Sequence, residues 1–330
     1  MITGKLTPAV MQRSVQRVLQ RAGVYKPEYP AKSRTGIWRQ GNSLGTLGGE
    51  LDRTPDMLLA EAAALVLAGG AVPARFDLSL MLPTACSEEE LRSLMEEIAR
   101  VVSSWEAVVT EVLCQVSDAV NRPVFTAVCL GESPAVRPEE TRAVREEMAL
   151  VMAGTPGLGG TARLCQSRQE ALKRRLPGRM ISETAGWMER LQLRALRRMI
   201  GEPTADTLIR AMQPVAQGGV FEALWDLAAR TGLGLELDLR AMPMEQEVVE
   251  VCEVLGVHPY RLNGQGAVLL ITDQPKELCR RLLEAGENAA VIGHVTAKAV
   301  VVHNGEETRY LEKPQQEELD RLVQGAQIRP

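Results

Sequence analysis

Met212-Gln213-Pro214-Val215-Ala216-Gln217-Gly218-Gly219-Val220-Phe221-Glu222-Ala223-Leu224-Trp225 runs two adjacent glycines straight into an apolar helical pattern. Val220, Leu224 and Leu227 share one face of that pattern, and Glu222 and Asp226 lie off it. A glycine pair at a helix start lets the backbone approach a neighbour closely. It also leaves N–H groups at the positive end of the helix dipole, a combination that can hold an anion such as phosphate. The plainer reading of the same residues is a tight turn feeding a packed helix.

Downstream of this stretch the pattern is regular. Leu233, Leu235, Leu237 and Leu239 alternate with Gly234, Glu236 and Asp238, which is a strand with one buried face. A helix over 246–255, a strand over 267–272 and a helix over 276–284 follow. Strands over 289–295 and 298–303 come next, and Asn304-Gly305 turns into a last strand near Tyr310. Alternating strands and helices that finish on a meander predict a two-layer α/β unit.

Upstream, helical spacing marks 8–20, and Ser87 with Glu90 forms a capping-box pattern ahead of Leu91, Leu94, Met95, Ile98 and Val102. Asp56 reads as the N-cap of a helix through Leu67 that Gly69-Gly70 ends. Strands are expected over 75–82, 107–116 and 124–130, the last two joined by the turn at Asn121-Arg122-Pro123. A helix is expected over 139–152, and 25–56 shows glycines and prolines without periodicity.

Gly154-Thr155-Pro156-Gly157-Leu158-Gly159-Gly160-Thr161 is a second glycine cluster, without the Gly-Lys-Ser/Thr ending of a P-loop and with no evident strand before it. It is open to two readings, a phosphate-wrapping turn or a domain-linking loop, and we place the boundary there: domains 1–153 and 154–330. Arg168, Lys173, Arg174, Arg175 and Arg179 after it read as a solvated helix face.

The 330 residues include 45% hydrophobic and 24% charged side chains, enough for substantial cores, and only 3% aromatics, so those cores are aliphatic. A net charge of -4 gives no reason to expect nucleic acid or an anionic membrane as partner. No run is long and apolar enough to span a bilayer. Six scattered cysteines without a C-x-x-C pair fit buried thiols in a reducing cytoplasm. His258, His294 and His303 read as loop or surface residues, and Cys114 and Cys129 as core.

The order of these parts resembles the AIR synthase superfamily, in particular its AIR synthase-related and hydrogenase-maturation members. The resemblance rests on residues 218–225, on Val248-Val249-Glu250-Val251-Cys252, on Ala290-Val291-Ile292-Gly293-His294-Val295 and on Asp118-Ala119-Val120-Asn121-Arg122-Pro123. It implies a two-domain α/β fold, an N-terminal sheet domain plus a C-terminal α/β domain, with homodimers formed through the N-terminal sheets. It also implies ATP and a divalent metal such as Mg²⁺ in active relatives, carboxylates on the metal, and glycine-rich turns on the phosphates. Carried onto this chain, the candidate ligand-contacting residues are Gly157, Gly160, Thr161, Gly218, Gly219, Asn42, Gln115 and Asp118.

The departures are as informative. Asn42 and Gln115 stand where the family has carboxylates, Ala64-Leu65 where it has Asn-Asp, and Gln213 to Gly219 where it has a His-Asp-x-Thr-x-Gly-Gly type of sequence. An amide keeps the shape of a carboxylate without the charge that Mg²⁺ requires. The expectation is therefore a catalytically degenerate, dimeric binding or regulatory protein with neither a metal site nor a catalytic residue. It would keep a residual anion or nucleotide pocket between the domains, and a protein partner. The alternative is an active ATP-dependent enzyme with a rearranged site built on Glu111, Asp118 or Glu61. A third reading is an unrelated two-domain α/β binding protein.

Overall fold

The computed structural model describes residues 1–28, 38–133, 143–202, 208–312 and 316–327, with side chains to 323 in the last stretch. The chain divides into two compact units, Met1–Val136 and Arg137–Pro330. No helix among the described residues is long and apolar enough to cross a membrane.

The first unit is a five-stranded sheet, order β1-β4-β3-β5-β2, with helices on one face. Its strands are β1 (Gly4–Lys5), β2 (Trp38–Thr46), β3 (Val72–Pro83), β4 (Val108–Ser117) and β5 (Val124–Glu132). β3 and β4 run parallel and the other pairs are antiparallel. Although β4 and β5 are consecutive in sequence, β3 lies between them, so the Asn121-Arg122-Pro123 turn is not a hairpin.

A helical segment opens the unit, with α1 (Pro8–Met11) and α2 (Arg17–Arg21) flanking one π-turn over Gln12–Gln16. The helix α3 (Pro55–Ala68) is capped by Thr54, whose hydroxyl accepts from the Met57 N–H at 3.4 Å. Asp56, expected at the cap, sits in the first turn instead, because Pro55 occupies the first helical position where its missing N–H costs nothing. The helix α4 (Glu88–Ser104) has the full capping box: Glu90 N–H donates to Ser87 Oγ at 3.1 Å, and Ser87 N–H to Glu90 Oε2 at 2.7 Å.

β2 corrects the irregular reading of 25–56, and from Arg39 on it carries no apolar alternation, Leu44 being its single apolar side chain and facing outward. Its inward positions are Gly41, Ser43 and Gly45, since α3 packs so closely on the strand that a Cβ on Gly41 would overlap the Ala62 carbonyl and stand 2.8 Å from Leu65 Cβ. The part of that reading that falls on 29–37 lies outside the described residues.

The second unit is a seven-stranded sheet, order β12-β11-β8-β10-β6-β9-β7, antiparallel except for the β11–β8 pair. Its strands are β6 (Ala149–Ala153), β7 (Ala211–Pro214), β8 (Gly234–Asp238), β9 (Val268–Thr272), β10 (Ala289–Thr296), β11 (Val300–Asn304) and β12 (Glu307–Tyr310). β6 is a central strand, so a helix over 139–152 is wrong for its end; residues 143–148 are not helical, and 139–142 lie outside the described residues. Leu150, Val151 and Met152 are fully buried, and a run covered on both faces carries no strand alternation. The division therefore precedes β6, and the glycine cluster is a turn inside the second unit rather than a linker.

The helices of this unit are α5 (Leu158–Ser167), α6 (Gln169–Leu172), α7 (Gly178–Ala185), α8 (Arg194–Ile200), α9 (Gly219–Thr231), α10 (Gln246–Leu255), α11 (Pro275–Glu284) and α12 (Glu318–Gln327). One face of the sheet and α9 enclose Leu150, Met152, Leu224, Leu227, Leu235, Leu237, Leu269 and Ile271. Each such side chain contributes roughly 1.5–3 kcal/mol relative to exposure. Lys173, Arg174, Arg175 and Arg179 are exposed, as expected of a solvated face, with Lys173 paired to Glu170 and Arg179 to Glu183.

Candidate functional site

The two glycine stretches that the sequence singled out meet in space around one loop, residues 258–266. α5 follows β6 through a turn in which Gly157 holds φ 69°, and α9 follows β7 through Gly218 and Gly219 at φ 74° and 68°. These left-handed positions favour glycine, and the close approach of the loop requires it as well. A Cβ on Gly160 would stand 2.5 Å from Leu262 Cγ, and one on Gly219 2.5 Å from the Tyr260 carbonyl oxygen.

The loop also takes up N–H groups at both helix starts. Gly160 N–H donates to Asn263 O at 2.7 Å, and Phe221 N–H to Tyr260 O at 3.2 Å. Gly219 N–H donates to Ala216 O at 3.2 Å and Thr161 N–H to Gly157 O at 2.9 Å. The Gly160, Gly219 and Phe221 N–H groups thus face carbonyl oxygens of the same unit. Thr161 Oγ1 and Asn263 Nδ2 are buried without a hydrogen-bond partner among the described residues. Tyr260 stacks on Phe221 with centroids 5.4 Å apart, and His258 lies 5.6 Å from the same ring. Burial, with Arg261 next, holds the His258 imidazole below its ordinary range.

Glu317 anchors the loop from the far end of the chain. Its carboxylate accepts from Asn263 N–H at 2.9 Å and from Leu319 and Asp320 N–H at 3.1 and 3.4 Å. Burial pushes its pKa up to about 7 against the pull of those bonds. Sequence reading missed the loop and this carboxylate. The available clue was Asn263-Gly264-Gln265-Gly266, a third glycine-rich turn.

The first-unit candidates lie apart from one another. Asn42 on β2 is in register with Val128 of β5, Asp77 of β3 and Glu111 of β4. Gln115 is four residues further along β4. Three strand spacings of about 4.8 Å and four residue rises of about 3.3 Å put the two amides roughly 19 Å apart on the helix-free face. Asn42 is exposed and accepts from Gln40 Nε2 at 2.9 Å. Leu65 packs behind Gly41, on the opposite face of β2 from Asn42. Asp118 is exposed just past β4.

Nearby carboxylates are held by arginines. Glu61 pairs with Arg53, Asp52 with Arg122 at 2.8 Å and Asp56 with Arg100 at 3.0 Å. Arg122 is thereby a turn arginine paired within its unit. Burial raises the carboxyl pKa values of Glu61 and Asp56 despite those cations. Among the described residues no group of three or more His, Cys, Asp or Glu side chains could hold a metal ion.

Residues 145–304 match the family described as AIR synthase related protein, C-terminal domain. A protein of Methanocaldococcus jannaschii named for hydrogenase expression and formation is 24% identical over 251 residues, 74% of this chain and 71% of that one. The carbamoyl dehydratase HypE of Azotobacter vinelandii is 37% identical over 95 residues, and the match spans only 27% of each protein. Among solved structures, Escherichia coli HypE superposes with a TM-score of 0.73 at 21% identity, covering 94% of this chain and 100% of that one. A HypE in complex with ATP gives 0.71 at 17% identity, covering 94% and 95%. Residues 145–304 thus match an AIR synthase-related C-terminal domain, and over most of its length the chain is similar in sequence to a hydrogenase expression/formation protein and in fold to HypE.

Proposed function

We propose that this protein is a catalytically degenerate relative of those enzymes, a homodimeric binding or regulatory protein of a reducing cytoplasm that recognises an anionic small molecule or nucleotide without metal chemistry. One observation carries the reading. Where the resemblance to active relatives would put carboxylates, this chain has the uncharged Asn42 and Gln115, and Asp52, Asp56 and Glu61 are taken by arginines. An amide neither neutralises a divalent cation nor shuttles a proton at neutral pH. Isothermal titration with Mg-ATP tests it: heat that disappears on adding EDTA overturns the proposal, and metal-independent or absent binding supports it.

The helix-free face of the first sheet supports the homodimer. Leu44, Met81 and Leu113 on it are 60%, 39% and 59% exposed, a concentration of apolar surface that a second copy would cover. Leu113→Asp is expected to give a monomer by sedimentation. The six cysteines are all unpaired, in keeping with a reducing compartment.

Resemblance to a HypE that binds ATP favours a second reading, an ATP-dependent enzyme with a rearranged site on Glu111 or Asp118. That reading requires ADP release that Asp118→Ala abolishes; unchanged turnover and nucleotide affinity in the variant would remove it.

A further inference from the structure

The second sheet ends on two unlike edges. At β7, Val215 N–H donates to Ala267 O at 3.0 Å, so by alternation the backbone groups of Pro214 and Met212 face away from β9. That edge is closed: Pro214 has no N–H, and Arg230 Nη2 donates to Met212 O at 2.6 Å. β12, at the other end, carries no such cover. Leu311 N–H donates to Val300 O at 2.8 Å, and the β11–β12 register runs on from there without a shift. The backbone groups of Arg309 and Glu307 therefore face β11, and those of Thr308 and Tyr310 face away from it. Among the described residues nothing pairs with Thr308 or Tyr310 on that side, and all four residues of β12 are exposed.

The side chains along this edge are already held in place. On one face Thr308 Oγ1 lies 2.9 Å from His303 Nδ1, and His303 Nε2 lies 3.0 Å from Glu236 Oε1. On the other face Arg309 lies over the Phe221 ring at 6.0 Å, two residues from Glu307. Neither Glu307 nor Arg309 is in an ion pair among the described residues. A charged edge ordinarily repels its own copy. Here the order of the charges does the opposite. If two β12 strands pair antiparallel about a two-fold axis at Thr308, each Thr308 exchanges both backbone bonds with the other. Glu307 of each copy then stands directly opposite Arg309 of the other, in the closely spaced pairs that share no backbone bonds. Moving the axis one residue either way sets Glu307 against Glu307 or Arg309 against Arg309.

We propose that the free edge of β12 is a contact with a second copy of this chain, the two strands pairing antiparallel about Thr308 and joining two seven-stranded sheets into one. A strand of another protein would have to supply the same alternation of charge, whereas this chain carries it. The contact uses other residues than the homodimer proposed on the first sheet, and it stands whether or not that dimer forms or ATP binds. A pairing this short is weak, holding at about 0.1 mM and above, so sedimentation at micromolar protein does not register it.

The test is cross-linking of the full chain at about 0.5 mM, with copper phenanthroline as oxidant. Thr308→Cys is expected to form a disulfide-linked dimer at least about tenfold faster than Tyr310→Cys. The axis brings the 308 positions to about 5.5 Å and leaves the 310 positions at least about 13 Å apart. Adding Glu307→Arg to Thr308→Cys should slow the reaction about tenfold, and adding Arg309→Glu as well should restore it. Damage to the fold would not be undone by a second charge reversal. Equal rates for the two cysteines, a rate indifferent to the charge changes, or a slowed rate that Arg309→Glu fails to restore would each overturn the proposal. So would a Thr308→Cys protein that does not cross-link, which would leave the edge to another occupant.

Discussion

The amide of Gly160 donates to the carbonyl of Asn263 at 2.7 Å, so the first turn of α5 is capped by a loop of its own unit. Leu262, next to Asn263, is fully buried against the same glycine. A glycine here answers to packing, and its cost of replacement is a stability cost. Gly160→Ala forces a Cβ to 2.5 Å from Leu262 Cγ and is expected to destabilise the second unit by about 1–3 kcal/mol. Urea unfolding checks it: an unchanged midpoint would mean that the loop is not seated on α5.

Gly41→Ala makes the corresponding demand on the first unit. The new methyl overlaps the Ala62 carbonyl, which is α3 backbone and cannot step aside as a side-chain tip can. A loss of about 2–4 kcal/mol is expected, with the α3–β2 contact opened. Should the variant melt with the wild type, α3 would have to sit further from β2 than described.

Glu317 makes stability depend on pH. Its folded pKa is raised to about 7 from an ordinary 4.5, so its contribution is fully present below pH 4.5. It is lost as pH rises through 7, where the folded state must bury the charge. Asp320 adds to the same penalty. Glu317→Gln should therefore flatten the decline of unfolding free energy between pH 4.5 and 8 and be the more stable protein at pH 8. Parallel pH profiles for the two proteins would contradict the buried placement.

The cysteines should be slow to react. Burial pushes the thiols of Cys114, Cys165 and Cys252 up to about 12 and raises that of Cys129 well above its ordinary range. A thiol that is neither ionised nor reachable is a poor nucleophile. Native protein treated with a chromogenic disulfide at pH 8 is expected to release colour from Cys279, the half-exposed one, well before the buried five. Rapid labelling of all six without denaturant would show that the cores open readily.

The elements that could be read in advance are those in which one face meets water. α4 shows its capping box and its apolar stripe, and β8 its alternation of leucine with Glu236 and Asp238. α10 was found to the residue because Gly256 ends it in the left-handed conformation. Elements buried on both faces or pressed against backbone lose those marks. β6 is apolar throughout and reads as the end of a helix, and β2 hides behind Gly41 and Gly45.

The candidate site divides in the same way. Side-chain chemistry is local, so the chain alone places uncharged amides at Asn42 and Gln115 and glycines at the openings of α5 and α9. Whether those glycines cradle an anion or admit a loop depends on what lies opposite them, about a hundred residues away for α5 and forty for α9. Only the tertiary structure supplies residues 258–266 at both helix starts, and only the strand order β4-β3-β5-β2 sets Asn42 and Gln115 far apart. Residue types decide which bonds a group can make, and the fold decides which partners come within reach.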